Sequence, residues 1–311
     1  MSSTQKPIVI VGSINIDLVV TSPRIPVAGE TIWGHEFQQH FGGKGANQAV
    51  AVARLGYPVE MIGRIGSDSL GAQARAALQE AGVGVEAVEI AEGSSGIASI
   101  TVSESGQNAI VVVPGANTQV TPEYLDRHRK RIESAGMVLT QLEIPMRTVE
   151  HLAEICDRSR IPLMLDPAPA QPLPATTLSR VAWFTPNETE AAFYADGIDP
   201  ALVASDPQSL AKAFLRMGPK AAVLKMGARG VLLASHTKVE ILPAISVAAV
   251  DSTAAGDAFN GAFATGLILA MDELEAARFA CAAAAISVTR RGAQSSMPSR
   301  AEVDHLLKVQ A

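Results

Sequence analysis

The sequence predicts an α/β protein in which a parallel sheet carries helices on its faces and a second, small β-sheet stands apart. Three observations predict it. Short β-branched runs alternate with longer Ala-rich stretches of helical period. The strand runs are almost continuously apolar, as strands covered on both sides require. Two segments break this rhythm and read as sheet rather than helix.

In chain order, Ile8–Val11 is the first strand. The segment Leu18 to Phe41 then lacks a helical period and contains Thr31-Ile32-Trp33. Ala46 to Leu55 places apolar residues at 46, 49, 50 and 53, a helical spacing that Gly56 ends as a C-cap. A strand at Val59–Ile62 and a helix near 69–81 follow. Ile97–Ser103 and Asn108–Val113 flank Glu104-Ser105-Gly106-Gln107 and read as a β-hairpin. Together with the earlier segment, this hairpin predicts a small antiparallel sheet over the active edge of the large one, built from about 14–41 and 96–113. Strands at Val138–Leu142, Leu163–Leu165, Trp183–Phe184 and Ala222–Leu224 alternate with helices near 122–133, 147–159, 187–195 and 207–216. Two further helices, near 257–270 and 273–289, complete the pattern. The run Asp166-Pro-Ala-Pro-Ala-Gln-Pro-Leu-Pro follows a strand without any shift in composition. It therefore reads as a loop at the carboxyl end of a sheet strand, where open α/β folds bind ligands, and not as a linker. One domain over 1–311 is expected.

Composition narrows the function. The chain has 311 residues, 48% hydrophobic and 18% charged, which is ample for a core. Lys plus Arg is 25 against 31 for Asp plus Glu, a net charge of -6, which argues against a nucleic-acid or anionic-membrane binder. Two cysteines, Cys156 and Cys281, make no disulfide scaffold and fit a reducing compartment. The run Ile8–Val11 is short and leads into Gly12, Asn15 and Asp17, unlike a signal peptide. The best membrane-span candidate, Gly261 to Met271, falls short of the roughly 18 residues required. A cytoplasmic location is the expectation.

Several motifs fail. Gly42-Gly43-Lys44-Gly45 lacks both the Ser or Thr after the Lys and the earlier Gly of a P-loop, positions filled here by Gly45 and Gln38. The first strand ends in a single Gly, Val11-Gly12-Ser13, which is not a dinucleotide fingerprint. The six histidines show no zinc spacing, and no Gly-x-Ser-x-Gly elbow occurs.

The informative stretch is Val250-Asp251-Ser252-Thr253-Ala254-Ala255-Gly256-Asp257-Ala258-Phe259-Asn260-Gly261. Small residues lead into a helix with apolar positions at 259, 262, 263, 267 and 270, so its start is buried and its backbone N–H groups are open to a ligand. With the helix dipole, such a start is an anion site. Gly256 allows close approach, and Asp257 stands where a hydroxyl beside that anion would lose its proton. The plainer reading makes Asp257 a first-turn helix acid and Ala-Ala-Gly a tight turn. A second glycine loop, Gly42 to Gln48, opens a helix, and its amides, Lys44 and Asn47 could grip a polyol; an ordinary loop with Lys44 in solvent is the alternative. Asn15 and Asp17 alternate onto one side of an extended segment, suited to one ligand or to turn chemistry. Asn187 and Glu190 share a face of a helix start and could hold hydrated magnesium, or Asn187 could simply cap the helix.

These segments, in this order, resemble the ribokinase-like (PfkB) carbohydrate kinase family. Pro114-Gly115-Ala116-Asn117, Gln141-Leu142-Glu143, Pro167-Ala168-Pro169-Ala170 and Val288-Thr289-Arg290-Arg291-Gly292-Ala293-Gln294 match as well, so the resemblance covers nearly the whole chain. It implies a Rossmann-like three-layer αβα sandwich with a small β-sheet lid. It implies an ATP-dependent kinase, with D-ribose the expected acceptor and deoxyribose, another sugar or a nucleoside the alternatives. A non-catalytic sugar or nucleotide sensor is a further alternative. Carried over by position, Asn15, Asp17, Gly43, Lys44, Asn47 and Glu143 bind the sugar, Asp257 is the base, and Ala254, Ala255, Gly256 and Asp257 form the anion hole. Asn187 and Glu190 serve magnesium and phosphates, while Lys225, Gly227 and Gly230 lie near the nucleotide. The resemblance also implies a monovalent cation such as K+, held by Asp251, Thr253 and the carbonyls of Val288, Arg291 and Ala293, and a homodimer formed through the lid. Three departures stand out: Lys225 where members often carry Thr, Asp166 where Asn is common, and Gln107 where Glu is usual.

Overall fold

Ile8–Val11 forms β1, a strand with no exposed residue, and its alternation sets the layers of the molecule. A computed structural model describes residues 5–198 and 206–310. Ile8 and Ile10 face one apolar cluster, while Val9 and Val11 face the other. The remaining strands are β2 (Asn15–Ser22), β3 (Glu36–Gly42), β4 (Val59–Gly66), β5 (Gly84–Ala91), β6 (Gly96–Ser103), β7 (Asn108–Val113), β8 (Met137–Thr140), β9 (Leu163–Leu165), β10 (Trp183–Phe184), β11 (Ala221–Lys225), β12 (Val231–Ser235) and β13 (Val239–Leu242). The helices are α1 (Lys44–Arg54), α2 (Ser69–Glu80), α3 (Pro122–Arg127), α4 (Arg129–Ser134), α5 (Met146–Ser159), α6 (Ala175–Leu178), α7 (Glu188–Ile198), α8 (Pro207–Arg216), α9 (Ala255–Ile268), α10 (Glu273–Ser287) and α11 (Arg300–Gln310).

Nine strands form the large sheet in the order β13-β12-β11-β10-β9-β8-β1-β4-β5. It is parallel from β11 through β5, and β12 and β13 add an antiparallel edge. One face packs on α1, α2, α9, α10 and α11 through residues such as Val50, Leu78, Phe263, Phe279 and Val303. The other packs on α3 to α8 through Tyr124, Ile132, Leu152, Leu178, Ala191 and Phe214. The result is the expected three-layer αβα sandwich. From β1 the chain order departs to β4 on one side and β8 on the other, the switch point where open α/β sheets bind ligands.

The second sheet, in the order β3-β2-β6-β7, is the expected lid with one correction: it is mixed, not antiparallel. β2 pairs antiparallel with β3, but β2 and β6 run parallel, Asn15 opposite Gly96 through Ser22 opposite Ser103. Both strands leave the large sheet from the ends of parallel strands, β1 and β5, so they enter the lid in the same direction. The helix expected over 122–133 is two helices meeting at His128, whose imidazole lies 3.0 Å from Glu89 of β5.

Candidate active site

Each element that carries a candidate residue delivers it to the carboxyl edge of the large sheet. β1 ends at Val11 and releases Asn15 and Asp17 into the lid. β8 is followed by Gln141 and Glu143, β9 by Asp166, β10 by Asn187, and β11 ends in Lys225. The starts of α1 and α9 close the crevice with Lys44, Asn47 and Asp257.

On the lid side, Asn15 is buried and its side-chain oxygen accepts from Asn117 Nδ2 at 2.7 Å. Burial and the nearby Glu143 carboxylate push the Asp17 carboxyl up to about 6, against the opposing pull of His40. Glu143 accepts from the Ser13 hydroxyl and from the Lys44 backbone N–H at 3.1 Å. The glycines of the loop have separate physical reasons. A Cβ on Gly42 would stand 2.6 Å from an Asp17 carboxylate oxygen. Gly43 adopts φ 88°, and a Cβ there would stand 2.6 Å from the Asn15 nitrogen. Side chains at either position would push the lid residues out of place.

On the sandwich side, Asp257 is buried in the first turn of α9. Its Oδ2 accepts from Asn47 Nδ2 at 3.0 Å and its Oδ1 from Gln48 Nε2 at 3.1 Å. Burial pushes its carboxyl up to about 6; Lys44 and the two amides pull it down, and Asp166 adds to the rise. Ala254, the N-cap of α9, has φ 58°, and among the described residues no side chain caps the helix. The first-turn amides of a helix have no intrahelical acceptor; here Ala255 N–H donates to the Ser252 carbonyl at 3.2 Å, and among the described residues the N–H groups of Gly256 and Asp257 stay open. Lys44 is half-buried; burial alone would lower its pKa, but Asp257, Asp166, Glu143 and Glu190 outweigh that and keep it protonated.

The third group joins two of the three departures from the family pattern. Lys225 Nζ lies 3.0 Å from Asp166 Oδ1, and both side chains are largely buried. The two departures therefore neutralise each other, and the ammonium sits beside Gly256, 3.4 Å from where a Cβ would stand. Asn187 and Glu190 bond reciprocally: Glu190 accepts from the Asn187 backbone N–H at 2.7 Å and from Nδ2 at 2.8 Å, and Glu190 N–H donates to Asn187 Oδ1 at 2.9 Å. That is the capping arrangement, yet Glu190 is also buried, and burial and Asp166 raise its pKa. Gly227 (φ 54°) and Gly230 (φ 93°) bound the tight turn after β11, and a Cβ on Gly230 would meet the Leu242 carbonyl at 2.0 Å.

The residues expected to hold a monovalent cation also converge. Asp251 Oδ1 accepts from the Thr253 N–H at 2.9 Å and from its hydroxyl at 2.6 Å, and Oδ2 accepts from Gly292 N–H at 2.9 Å. The Val288 carbonyl accepts from Val250 and Asp251, the Arg291 carbonyl from Ser295, and the Ala293 carbonyl from Ser296. The donor set is all oxygen, which suits a hard monovalent ion.

Five carboxylates, Asp17, Glu143, Asp166, Glu190 and Asp257, thus face two ammonium groups, Lys44 and Lys225, in one crevice. Reading the sequence residue by residue missed Gln48, Ser13 and the partners of Asn117, because each acts through a contact more than 30 positions away.

Comparisons with known proteins bear on the family and the fold. The model of the pfkB family carbohydrate kinases matches residues 5–300. A ribokinase of Bacillus subtilis (strain 168) is 42% identical over 301 residues, covering 96% of this chain and 99% of the relative. A ribokinase of Haemophilus influenzae is 40% identical over 308 residues, covering 98% and 99%. The structure of Arabidopsis thaliana ribokinase complexed with ribose and ATP superposes with a TM-score of 0.92 at 34% identity, covering 98% of this chain and 99% of that one. With sandwich, lid, glycine loop and the start of α9 all in place, the chain belongs to the pfkB family of carbohydrate kinases.

Proposed function

We propose that the protein transfers the γ-phosphoryl group of ATP to the 5-hydroxyl of D-ribose, giving D-ribose 5-phosphate. The observation that carries this reading is the buried Asp257 carboxylate beside an uncapped helix start, in a crevice otherwise lined by sugar-type hydrogen-bonding groups. Asn15, Asp17, Gly43, Lys44, Asn47 and Glu143 hold the sugar. Asp17 and Glu143 accept from hydroxyls, while Lys44 donates. Paired acceptors at Asn15 and Asp17 favour vicinal hydroxyls over a deoxy sugar. Asp257 accepts the proton of the attacking hydroxyl as the oxygen–phosphorus bond forms and the bond to ADP breaks. Backbone amides from Ala254 to Asp257, with Gly256 at the closest approach, meet the charge on the transferred group. Lys225 adds a fixed positive charge beside Gly256, and the Gly227–Gly230 turn lies along the nucleotide.

Magnesium bound through water at Asn187 and Glu190 would neutralise phosphate charge, a role suited to their hard oxygens and to the surplus of carboxylates. K+ at Asp251, Thr253 and the carbonyls of Val288, Arg291 and Ala293 would steady the loop entering α9. The whole chain works as one catalytic unit in which the lid excludes water over the sugar. Two copies pair through the lid, whose edge strand β7 exposes Ile110, Val111, Val112 and Val113. No described helix is long and apolar enough to cross a membrane, and the reading places the enzyme in the cytoplasm with a sugar and ATP as its partners.

The test is ADP release across a panel of sugars and nucleosides, in potassium and in a large organic cation. Ribose-dependent release that rises in potassium is expected. Faster release with a nucleoside or deoxyribose would replace the substrate, binding without release would make the protein a sensor, and equal rates in both salts would remove the cation site. Light scattering of the same sample should give a dimer mass; a monomer would remove the lid interface.

A further inference from the structure

Gln48 lies on α1 one residue beyond Asn47, and its side chain is buried between two carboxylates. Its single NH2 group donates one hydrogen to Asp257 Oδ1 at 3.1 Å and the other to Asp166 Oδ2 at 3.1 Å. The opposite end of the amide, Oε1, accepts from Gln141 Nε2 at 2.7 Å. An amide has two donors on one side and an acceptor on the other, so this placement uses both N–H hydrogens and leaves one orientation of the group. Gln141 is also fully buried, and its Oε1 lies where a Cβ on Gly12 would stand, at 2.2 Å, so the second amide is confined in turn. Asp166 is itself fixed on its other oxygen by Lys225.

We propose that Gln48 is a positioning residue, which, with its amide locked by Gln141, holds the Asp257 carboxylate in register with the Asp166–Lys225 pair. This rests on the reading of Asp257 as the base. Asp257 belongs to the hydroxyl to be deprotonated, and Lys225 sits by Gly256, where the phosphoryl group arrives. One amide spanning both carboxylates fixes the distance between acceptor and donor sides of the transfer. The charged groups facing Asp257 are Lys44 from α1 and Asp166 after β9, with Lys225 from β11 and Glu190 from α7 acting on Asp166. Removing the Gln48 donors leaves Lys44 and Asn47 as the groups that favour the charged form of Asp257.

The test is the pH profile of kcat in Gln48→Met, which keeps length and removes both donors. kcat is read rather than kcat/KM, because bound sugar covers Asp17, the other carboxyl displaced to about 6. Expected are a fall in kcat of about tenfold or more and an acid limb moved up by about one pH unit, with KM for ribose within about threefold. Gln141→Met keeps Gln48 and removes only its orienting donor, and should move the limb the same way by less. A limb at the wild-type position in either variant that melts as wild type does would overturn the proposal, and so would a loss confined to KM. Asp257→Asn separates the two readings. If that variant keeps its turnover, the base assignment fails; if it loses turnover while the Gln48 limb stays put, only the positioning role fails.

Discussion

The two walls of the crevice are built in opposite ways. The sandwich wall is buried and its carboxylates are held by side chains: Asp257 takes one amide on each oxygen, and Asp166 sits between Gln48 and Lys225. The lid wall is a four-stranded sheet with an exposed edge, on which Asp17 is only partly covered and faces Glu143 across the gap. Rigid packing around Asp257 suits a group that must meet a transition state with little rearrangement, while the thinner lid suits a surface that closes on a ligand. Under the proposed reading, turnover rests on the sandwich wall, while Asp17 ties sugar affinity to the lid.

The largest expected effect tests the sandwich wall. Asp257→Asn should cut kcat by about 10² or more and leave sugar affinity by calorimetry near normal. Loss of affinity without loss of turnover would erase the contrast between the walls. On the lid wall, Asp17→Ala should raise KM for ribose by about 10- to 100-fold, the range of a hydrogen bond to a charged group, with kcat within about threefold. An equal fall in kcat would place Asp17 in the chemistry.

A third effect, read as stability and not as rate, concerns pH and the protein without ligand. A carboxyl whose folded pKa is raised favours folding at pH values below its ordinary one, and that contribution is lost as the pH rises through about 6. The melting temperature should therefore fall between pH 4 and pH 7, and Asp257→Asn should flatten part of that slope. The shift of Asp257 from 3.8 to about 6 limits the effect to about 3 kcal/mol, or several degrees. An identical slope in the variant would mean that the buried carboxyl has found a partner that compensates its charge.

Much of this was legible in sequence because it is local. The short apolar runs that become β1, β8, β9, β10 and β11 announce themselves, and so does the small-residue entry to α9. β5 was missed because Gly84-Val85-Glu86-Ala87-Val88-Glu89 mixes charge into an edge strand. The β12–β13 hairpin was missed because its antiparallel run continues directly from a parallel strand. The lid was legible as sheet but not in direction, since β2 and β6 meet only after the chain has passed through α1, β4, α2 and β5. At the site, residue types and their order pointed to Asp257 and Lys44. The Gln48 bridge spans more than 200 positions to Asp257, and no spacing rule encodes it.

The entry to α9 has one more consequence. Ala254 holds a left-handed conformation that costs an L-residue about 1–2 kcal/mol, and it brings no oxygen of its own to the amides that follow. A bound phosphate would do what Ser or Asp does at the head of other helices, so the nucleotide would serve as a removable part of the scaffold. Amide exchange at 256 and 257, the first-turn amides without a backbone acceptor, should then slow on loading and recover on product departure, making this single turn a reporter of occupancy within the working enzyme.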